Sequence, residues 1–494
     1  MARQLVQISL ATIVAPPPLG ATNQRTGVFY SGPTGPQLAI DAAARQSGDV
    51  ILVNPGEYSA FLNLRAENAK ALIVRCAVPG QRWVMDKKNT DPRVVINSLG
   101  NSVAGANAQI FDAHIKNAKL IPSTSTPSTG GAVGLFGLGT LFRMSNCVLE
   151  ECALGFLCGT SCRYQEIFVE SNLFINCGSG AEPNTHGIYN AGDGNGVFTS
   201  RGNQFVWTYT KANEPHPLWA GVAHGIKSHS YRNFIQANLF DNRLGSISSA
   251  IDCSACGSYD ISGNVLIQSA TSDSANMITW SDGTNKFHGP PEEPWELKVN
   301  QNTFIVYGPA KQVIRYIGDG GVLTARGGSN TPPSITFPAN ATATPFALNF
   351  FRLVLTGGTG AGQVRMGYKQ YDGVTKVLPT DPSQPWAVIP DATTQFAASR
   401  APFAGLSRYE FVDNVLIGAF SDLNQVGKYP AASNSVFPND SALIDAPGNQ
   451  FGLDTPVLGS ANRAPYRFVT PAGFAERTDS FRGAVPSTMV SADV

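Results

Sequence analysis

The sequence predicts an all-β protein, a parallel β-helix solenoid with an N-terminal capping helix and a small inserted β module. Two observations carry this prediction. Short apolar segments, each introduced by an asparagine, recur along the chain, and a second set of strand-like segments with one isoleucine each recurs in step with them. Recurrence at about 20 to 50 residues is typical of repeat architectures in which stacked units share one core.

The first set marks one column of the predicted stack. Its seven asparagines are Asn146, Asn172, Asn203, Asn238, Asn264, Asn302 and Asn414. The first six are 26 to 38 residues apart. Because asparagine tolerates the left-handed αL conformation, we expect each one to turn the chain between flat strands. We also expect the stacked side-chain amides to bond one another along the column.

The second set marks another column. Its members are residues 186–189, 224–227, 249–252, 276–279 and 312–315. The first four lie between successive asparagine segments, and the last follows Asn302. Two independent columns in step favour a regular stack over chance resemblance.

Composition excludes several classes of protein. Charged residues make up only 14% of the 494 residues and hydrophobic residues 43%, a composition that argues against disorder. The 35 basic and 35 acidic residues balance, and no dense basic run occurs, so we expect no nucleic-acid partner. No apolar run reaches the length of about 18 residues that a spanning helix needs, so we expect no membrane insertion.

The chain divides into four segments in the sequence. Residues 1–34 are interpreted as an arm or docking segment, 35–319 as the β-helix with its cap, 320–405 as the inserted module, and 406–494 as the last coils with an irregular C-terminal wrap. Within the second segment, an alanine-rich stretch from Gln37 to Arg45 has helical spacing and predicts the capping helix.

The N-terminal end loosely imitates a secretory signal. One arginine precedes a mildly apolar run, but Gln7, Ser9 and Thr12 interrupt that run and three prolines follow it. The sequence leaves a signal peptide and a docking arm as alternatives.

The eight cysteines allow two interpretations. Cys253 and Cys256 form a C-x-x-C pair, and Cys158 with Cys162 could complete a redox or zinc site. Against this, Cys152 and Cys177 follow their asparagines at nearly the same distance, as small apolar residues stacked in the coil would. We therefore expect neither a metal nor a cofactor.

Strand alternation predicts a functional surface beside the second column. If each shared isoleucine points inward, the residue after it points outward. The outward residues are Tyr189, Lys227, Asp252, Thr279 and Arg315. Lys227 and Asp252 are then neighbours able to pair, and His229, Tyr231 and Arg232 follow directly downstream.

This surface suits an acidic polysaccharide, because aromatic area stacks on sugar rings and fixed cations meet uronate carboxylates. We assign candidate catalytic roles to Lys227, Asp252 and His229. The candidate substrate-binding residues are Tyr189, Tyr231, Arg232 and Arg315. The reaction would be elimination at a uronic acid, in which a base abstracts the proton from C5.

Three alternatives stay open. A carboxylate beside Lys227 stabilises its ammonium form and makes it a poorer base. A hydrolase would need a second carboxylate, for which Asp241 and Asp282 are candidates beside Asp252. The Lys227–Asp252 pair is also explained as an ordinary cross-strand ion pair.

Two other motifs have structural interpretations that need no function. His186 and His224 share the face of the core isoleucine and are interpreted as hydrogen-bonded histidines at coil corners. The glycine-rich stretch from Thr356 to Gly362 lacks the phosphate-binding G-x-x-x-x-G-K-[ST] pattern and is interpreted as a β-turn.

Residues 35–317 and 408–450 resemble the pectate-lyase-like superfamily of right-handed parallel β-helices. The resemblance rests on the asparagine-led segments and on stretches such as His224-Gly-Ile-Lys-Ser228 and Ser262-Gly-Asn-Val-Leu-Ile267. It implies the right-handed fold. The superfamily includes lyases, hydrolases, epimerases and viral spikes, so the activity stays open. Its calcium-dependent lyases use clustered acidic residues and a catalytic arginine or lysine, of which the sequence matches only Lys227.

The inserted stretch resembles a short module of tailed-bacteriophage virion proteins, through residues 355–365, 371–377 and 390–394. This resemblance implies a virion tail spike or fibre, a homotrimer with other virion proteins as neighbours. It implies binding of a host cell-surface polysaccharide and leaves open whether the protein also depolymerises it. The alternatives are a secreted bacterial polysaccharide lyase or hydrolase, located extracellularly or in the periplasm, and a purely structural virion protein.

Overall fold

A computed structural model of the chain describes the following residues: 16–43, 48–59, 61–64, 71–88, 95–99, 107–118, 131–159, 162–178, 186–192, 196–208, 224–245, 247–253, 258–268, 276–281, 295–317, 322–339, 351–366, 372, 374–400, 406–425, 444–445, 450–452 and 467–469. Over these residues the protein is nearly all-β, with a single helix. Two sheets, of 13 and 20 strands, contain most of the strands, and nearly all their neighbouring strands run parallel.

The strands fall into three columns, which the chain visits in turn. The 13-stranded sheet is the first column. After an antiparallel start from Gly20–Asn23 and Phe29–Ser31, it stacks Val50–Val53, Ala71–Cys76, Asn107–Phe111, Leu138–Ser145, Arg163–Glu170, Val197–Arg201, Arg232–Gln236, Ser258–Ser262, Trp295–Asn300, Leu406–Val412 and Ile444–Asp445.

The 20-stranded sheet contains the second and third columns. The second column stacks Gly56–Tyr58, Trp83–Asp86, Ala113–Lys116, Val148–Glu150, Leu173–Ile175, Gln204–Val206, Leu239–Asn242, Val265–Gln268, Gln450–Gly452 and Arg467–Val469. The third stacks Leu62–Asn63, Ile96–Leu99, Val133–Phe136, Phe156–Cys158, His186–Asn190, His224–Ser228, Ser249–Cys253 and Asn276–Ser281. Two long strands, Thr303–Ile317 and Val415–Gln425, run through both columns and join them.

The three columns share one apolar core. In many of the described strands alternate side chains are buried, as in Ala71–Cys76 and Asn107–Phe111, and rows of like residues stack from strand to strand. In the second column the rings of Phe174, Phe205 and Phe240 lie parallel, with centroids 4.6 and 4.9 Å apart. Such offset stacks add to the free energy of burying the rings.

A ladder of buried asparagines follows the turn between the first and second columns. In five successive steps, the Nδ2 of one asparagine donates to the Oδ1 of the next at 2.9–3.1 Å. The same Oδ1 atoms also accept the backbone N–H of the preceding asparagine at 2.9–3.0 Å. The members are Asn172, Asn203, Asn238, Asn264, Asn302 and Asn414. The predicted amide column is thus present, with both its donors and acceptors bonded.

Two details of the ladder prediction are wrong. The αL conformation belongs to the residue before each ladder asparagine, with φ between 53° and 65°, as at Ser171 and Ala237. Asn146 itself takes this αL position (φ 55°), so it lies one residue out of register with the ladder. Cys147 occupies the ladder position instead, and its N–H donates to Asn172 Oδ1 at 2.9 Å.

Residues from Gly20 onward are built into the first column. Strand Gly20–Asn23 pairs with Val50–Val53, the predicted first strand, so part of the segment expected as an arm belongs to the sheet. The helix Gly35–Asp41 overlaps the predicted helical stretch but begins two residues earlier and ends at Asp41, and Gln37 bonds the backbone of Asn63 in the third column. The helix therefore packs on the first strands, as a cap would.

The predicted insertion is a separate β module with its own core. Four antiparallel strands, Val322–Thr324, Phe351–Gly357, Val364–Met366 and Gln395–Arg400, form one sheet, and Gly327–Asn330, Pro333–Thr336 and Val377–Pro379 form another. Buried Phe337, Trp386 and Phe396 belong to its core. The glycine-rich stretch is a turn, as predicted, closed by the Gly362 N–H on the Leu355 carbonyl at 2.8 Å.

The seven cysteines of the described part are all buried, and no disulfide joins them. Burial raises the pKa of Cys147 to about 12 and that of Cys253 well above its ordinary value, so neither forms a thiolate readily. Cys256 lies outside the described residues, as does most of the predicted C-terminal wrap.

We expect Asn238→Ala to destabilise the protein by about 3 kcal/mol, because it leaves the buried N–H groups of Asn203 without their acceptor. The urea midpoint followed by circular dichroism would measure this. The control is Asn146→Gly, which keeps the αL turn outside the ladder and should shift the midpoint little. Equal shifts for the two variants would contradict the observed register.

Candidate functional site

Strand register brings the predicted outward residues together on the third column. Tyr189 lies opposite Lys227, and Lys227 lies opposite Asp252. The row continues through Thr279 to Arg315. Since Ile188, Ile226 and Ile251 form the buried row beside it, the predicted alternation of faces is confirmed.

The His-Gly-Ile motif of two of these strands has a packing cause. A Cβ atom on Gly225 would lie 2.6 Å from the Ala250 carbonyl oxygen and 2.9 Å from the Phe240 ring. Gly187 has the same relation to the Gly225 carbonyl, at 2.7 Å. Glycine therefore lets these strands approach their neighbours and the phenylalanine stack, which places the flanking histidines on adjacent strands.

Asp252 is the centre of the site. Its Oδ2 lies 3.4 Å from Lys227 Nζ and 3.4 Å from His224 Nε2. The Asp252 side chain is 7% exposed and that of Lys227 18%, so the carboxylate is buried and the contact differs from the expected surface ion pair. Removing one partner of a buried pair leaves an uncompensated charge and costs far more than losing a surface pair.

Two stacked histidines extend the site. The His186 and His224 rings are 5.0 Å apart at 23°. The His224 N–H donates to His186 Nδ1 at 3.3 Å, which assigns the proton of a neutral His186 to Nε2. His224 Nδ1 contacts Ser249 Oγ at 2.8 Å, so both its ring nitrogens have partners.

Burial favours the neutral form of both imidazoles. Burial lowers the pKa of His186 well below its ordinary value, and His224, Lys227 and His229 lower it further. Burial also lowers the pKa of His224, helped by Lys227 and opposed by Asp252 and Ser249.

The Tyr189 ring contacts two histidines and lies near Lys227. Its ring meets His186 edge-on at 4.8 Å and His229 edge-on at 5.7 Å, and Lys227 Nζ lies 5.6 Å from its centroid. We call these residues the third-column cluster: His186, Tyr189, His224, Lys227, His229 and Asp252. Four residues of this cluster were predicted as site residues, and of these Tyr189 and Lys227 are partly exposed.

The loop that carries His229 is held on both sides. Asn190 Nδ2 donates to Ser228 Oγ at 2.9 Å and to Ser230 Oγ at 2.7 Å, and the His229 N–H donates to the Asn190 carbonyl at 2.8 Å. Asn233 Nδ2 donates to the Ser230 carbonyl at 2.8 Å. His229 is thus fixed beside Tyr189 by backbone and side-chain bonds.

Among the buried polar atoms of the cluster, a donor and an acceptor have no hydrogen-bond partner in the described part of the protein. They are His186 Nε2, a donor in the assigned tautomer, and Asp252 Oδ1, an acceptor. Each atom complements a hydroxyl group, which can accept a hydrogen bond from the first or donate one to the second.

The other predicted site residues lie elsewhere. Arg232 begins a first-column strand, and its guanidinium lies 5.7 Å from the Tyr231 ring, which packs against the main core. Asp241 belongs to the second column, where Arg243 Nη2 binds it at 2.8 Å. For Arg315 the structure describes only the backbone register, two strands beyond Asp252, and Asp282 lies outside the described residues.

Sequence reasoning placed the two histidines apart from this site. The interpretation of His224 as a bonded histidine holds, but its bonds run to Asp252 and Ser249, within the site. The repeated His-Gly-Ile motif, one residue before the outward row, was the signal available.

No protein-family model, curated protein or solved structure matches the chain. The described ranges hold no helix of the length and apolarity that a bilayer crossing requires. Nor do they hold a group of three or more His, Cys, Asp or Glu residues arranged to bind a metal ion.

We expect stability to fall as the pH drops below about 6.5, because histidines with folded pKa values below the unfolded value bind protons preferentially in the unfolded chain. Thermal midpoints between pH 7.5 and 5.5 would show this. His186→Gln should flatten the fall. His114→Gln, which removes a histidine beside Glu150 on the second column, should preserve it. A wild-type midpoint independent of pH in this window would contradict the assignment.

Proposed function

We propose that the three columns are the faces of a right-handed parallel β-helix, and that the protein is a tail-spike- or fibre-type virion protein that binds a host cell-surface polysaccharide. The fold proposal is supported by the order in which the chain visits the three columns, one strand per column in each repeat. The virion proposal is supported by the inserted module, whose residues 355–365 and 390–394 carry the resemblance to phage virion proteins.

One observation carries the binding proposal. The third-column cluster sets an aromatic ring, an ammonium group and a buried carboxylate side by side. Tyr189 offers a ring face to the C–H groups of a sugar, since the ring face is negative. Lys227 offers a cation to a uronate carboxylate or a hydroxyl, and the Lys227–Asp252 contact holds that cation in position.

The geometry favours recognition over hydrolysis. A glycosidase of the common kind uses two carboxylates flanking the scissile bond. Within the described residues, Asp252 is the one carboxylate of the cluster, and it is engaged by Lys227 and His224.

Elimination is the second candidate function. It is favoured by the position of the His229 ring, 5.7 Å from Tyr189, next to a lysine that could neutralise a uronate. In that mechanism Lys227 would stabilise the carboxylate, while His229 or Tyr189 would accept the C5 proton. The protein would then be a secreted or periplasmic lyase.

We expect Lys227→Met to weaken binding of polygalacturonate by about tenfold or more, since a desolvated charged hydrogen bond is worth about 1.5–3 kcal/mol. Tyr189→Ala should weaken it by a similar factor. Isothermal titration calorimetry would measure both. Lys298→Met, which removes a first-column lysine paired with Glu296, is the matched control and should bind as the wild type does.

Incubation of the protein with polygalacturonate, followed by ultraviolet absorbance, separates the candidate functions. Rising ultraviolet absorbance from an unsaturated uronate, lost in His229→Ala, would favour the lyase. Binding without product would favour the spike, and a native mass of three chains would support the proposed homotrimer. Wild-type affinity in Lys227→Met would refute the assigned site.

A further inference from the structure

A second row of side chains crosses the outer face of the first column, away from the third-column cluster. Strand register places Arg143, Phe168, Thr199, Phe234 and Asp260 in line, one per strand. The rows on both sides of it are buried: one contains Ile167, Phe198, Asn233 and Tyr259, and the other contains Val169, Ser200, Ile235 and Ile261. The row thus belongs to the face of the sheet that points away from the core.

Phe168 and Phe234 form two aromatic platforms in this row. Both rings are partly exposed, while Thr199 between them is 4% exposed. Since adjacent strands lie about 4.8 Å apart, the two platforms are about 10 Å apart along the column. The small side chain of Thr199 therefore lies between two rings that are two strands apart.

Ordered polar groups border the platforms. The Arg143 guanidinium lies over the Phe168 ring, 5.0 Å from its centroid, and so occupies part of one side of it. At the other end of the strands, Arg201 Nη2 donates to Gln236 Oε1 at 2.9 Å, and Gln236 Nε2 donates to Asp260 Oδ2 at 3.1 Å. These bonds hold donors and acceptors beside Phe234.

We propose that this row is a second binding site, for an extended, linear β-1,4-linked polysaccharide running along the column. In such a chain alternate sugars turn the same face to one side, so every second sugar can stack on a ring while the sugar between them lies over Thr199. The C–H groups of a pyranose are attracted to the negative face of a phenyl ring. Arg201 and Gln236 can bond the hydroxyl groups at the rim.

A protein partner fits this surface less well. Cores of protein interfaces are depleted of charged residues. Here the acidic Asp260 directly borders Phe234 in the row, and at the Phe168 end Glu170 pairs with Arg143 at 3.6 Å. A flat row of separated rings among bonded polar groups matches a sugar chain, whose own surface alternates C–H faces and hydroxyls.

Hexamers of β-1,4-linked glucose, N-acetylglucosamine and mannuronate test the proposal by calorimetry with the intact chain. We expect at least one hexamer to bind, and the corresponding dimer to bind much more weakly because it cannot reach both rings. Phe168→Ala and Phe234→Ala should each weaken the affinity for the hexamer by about tenfold. Phe168→Tyr and Phe234→Tyr, which keep the ring, should retain binding.

Phe111→Ala is the matched control, because Phe111 is a partly exposed phenylalanine of the first column in a different row. It should bind the hexamer as the wild type does. Absence of binding by all three hexamers would overturn the proposal. So would equal losses in Phe111→Ala and Phe234→Ala with circular dichroism unchanged. Loss of polygalacturonate binding in Lys227→Met alone would bear only on the third-column cluster.

Discussion

The register between parallel strands is the constraint on which the rest of the structure depends. A parallel ladder of backbone hydrogen bonds fixes the spacing of strands but is regular along its length, so it selects a register only weakly. The buried asparagines supply what the backbone lacks. Each amide is tied both to the next amide and to a carbonyl of an earlier strand, as Asn238 is to Asn264 and to the Ser200 carbonyl. A slip of one residue would leave these buried groups unbonded, at a cost of about 1–3 kcal/mol each.

Fixed register is also what makes the surfaces of the columns regular. Once Asn203, Asn238 and Asn264 are aligned, the strands that follow them arrive at the third column in step. The short outward row of Tyr189, Lys227 and Asp252 is a consequence of that alignment, as is the first-column row through Phe168 and Phe234. Neither row needs a long-range contact of its own. The core determines the spacing, and the outward residues are left to vary in chemistry.

The sequence alone predicted the features that repeat. The asparagine column, the isoleucine column and the inserted module all follow from periodicity or from its interruption. Features that depend on single positions were missed. Asn146 resembles the ladder members in its apolar neighbours, yet Cys147 takes the ladder position, because the αL residue must come one place earlier. The depth of Asp252 and its bond to His224 were also missed, since alternation predicts a face but not how far flanking side chains cover it.

Burial of Asp252 changes what Lys227 can do. On an exposed surface, a lysine beside an aspartate is a weakly coupled pair whose partners move independently. Here the carboxylate is enclosed, and two cationic or hydrogen-bonding neighbours converge on one of its oxygens. The lysine is therefore anchored at its charged end while Tyr189 limits it on one side. An anchored cation beside a ring loses little conformational entropy when a ligand arrives, which is the physical advantage of a preorganised site over a flexible one.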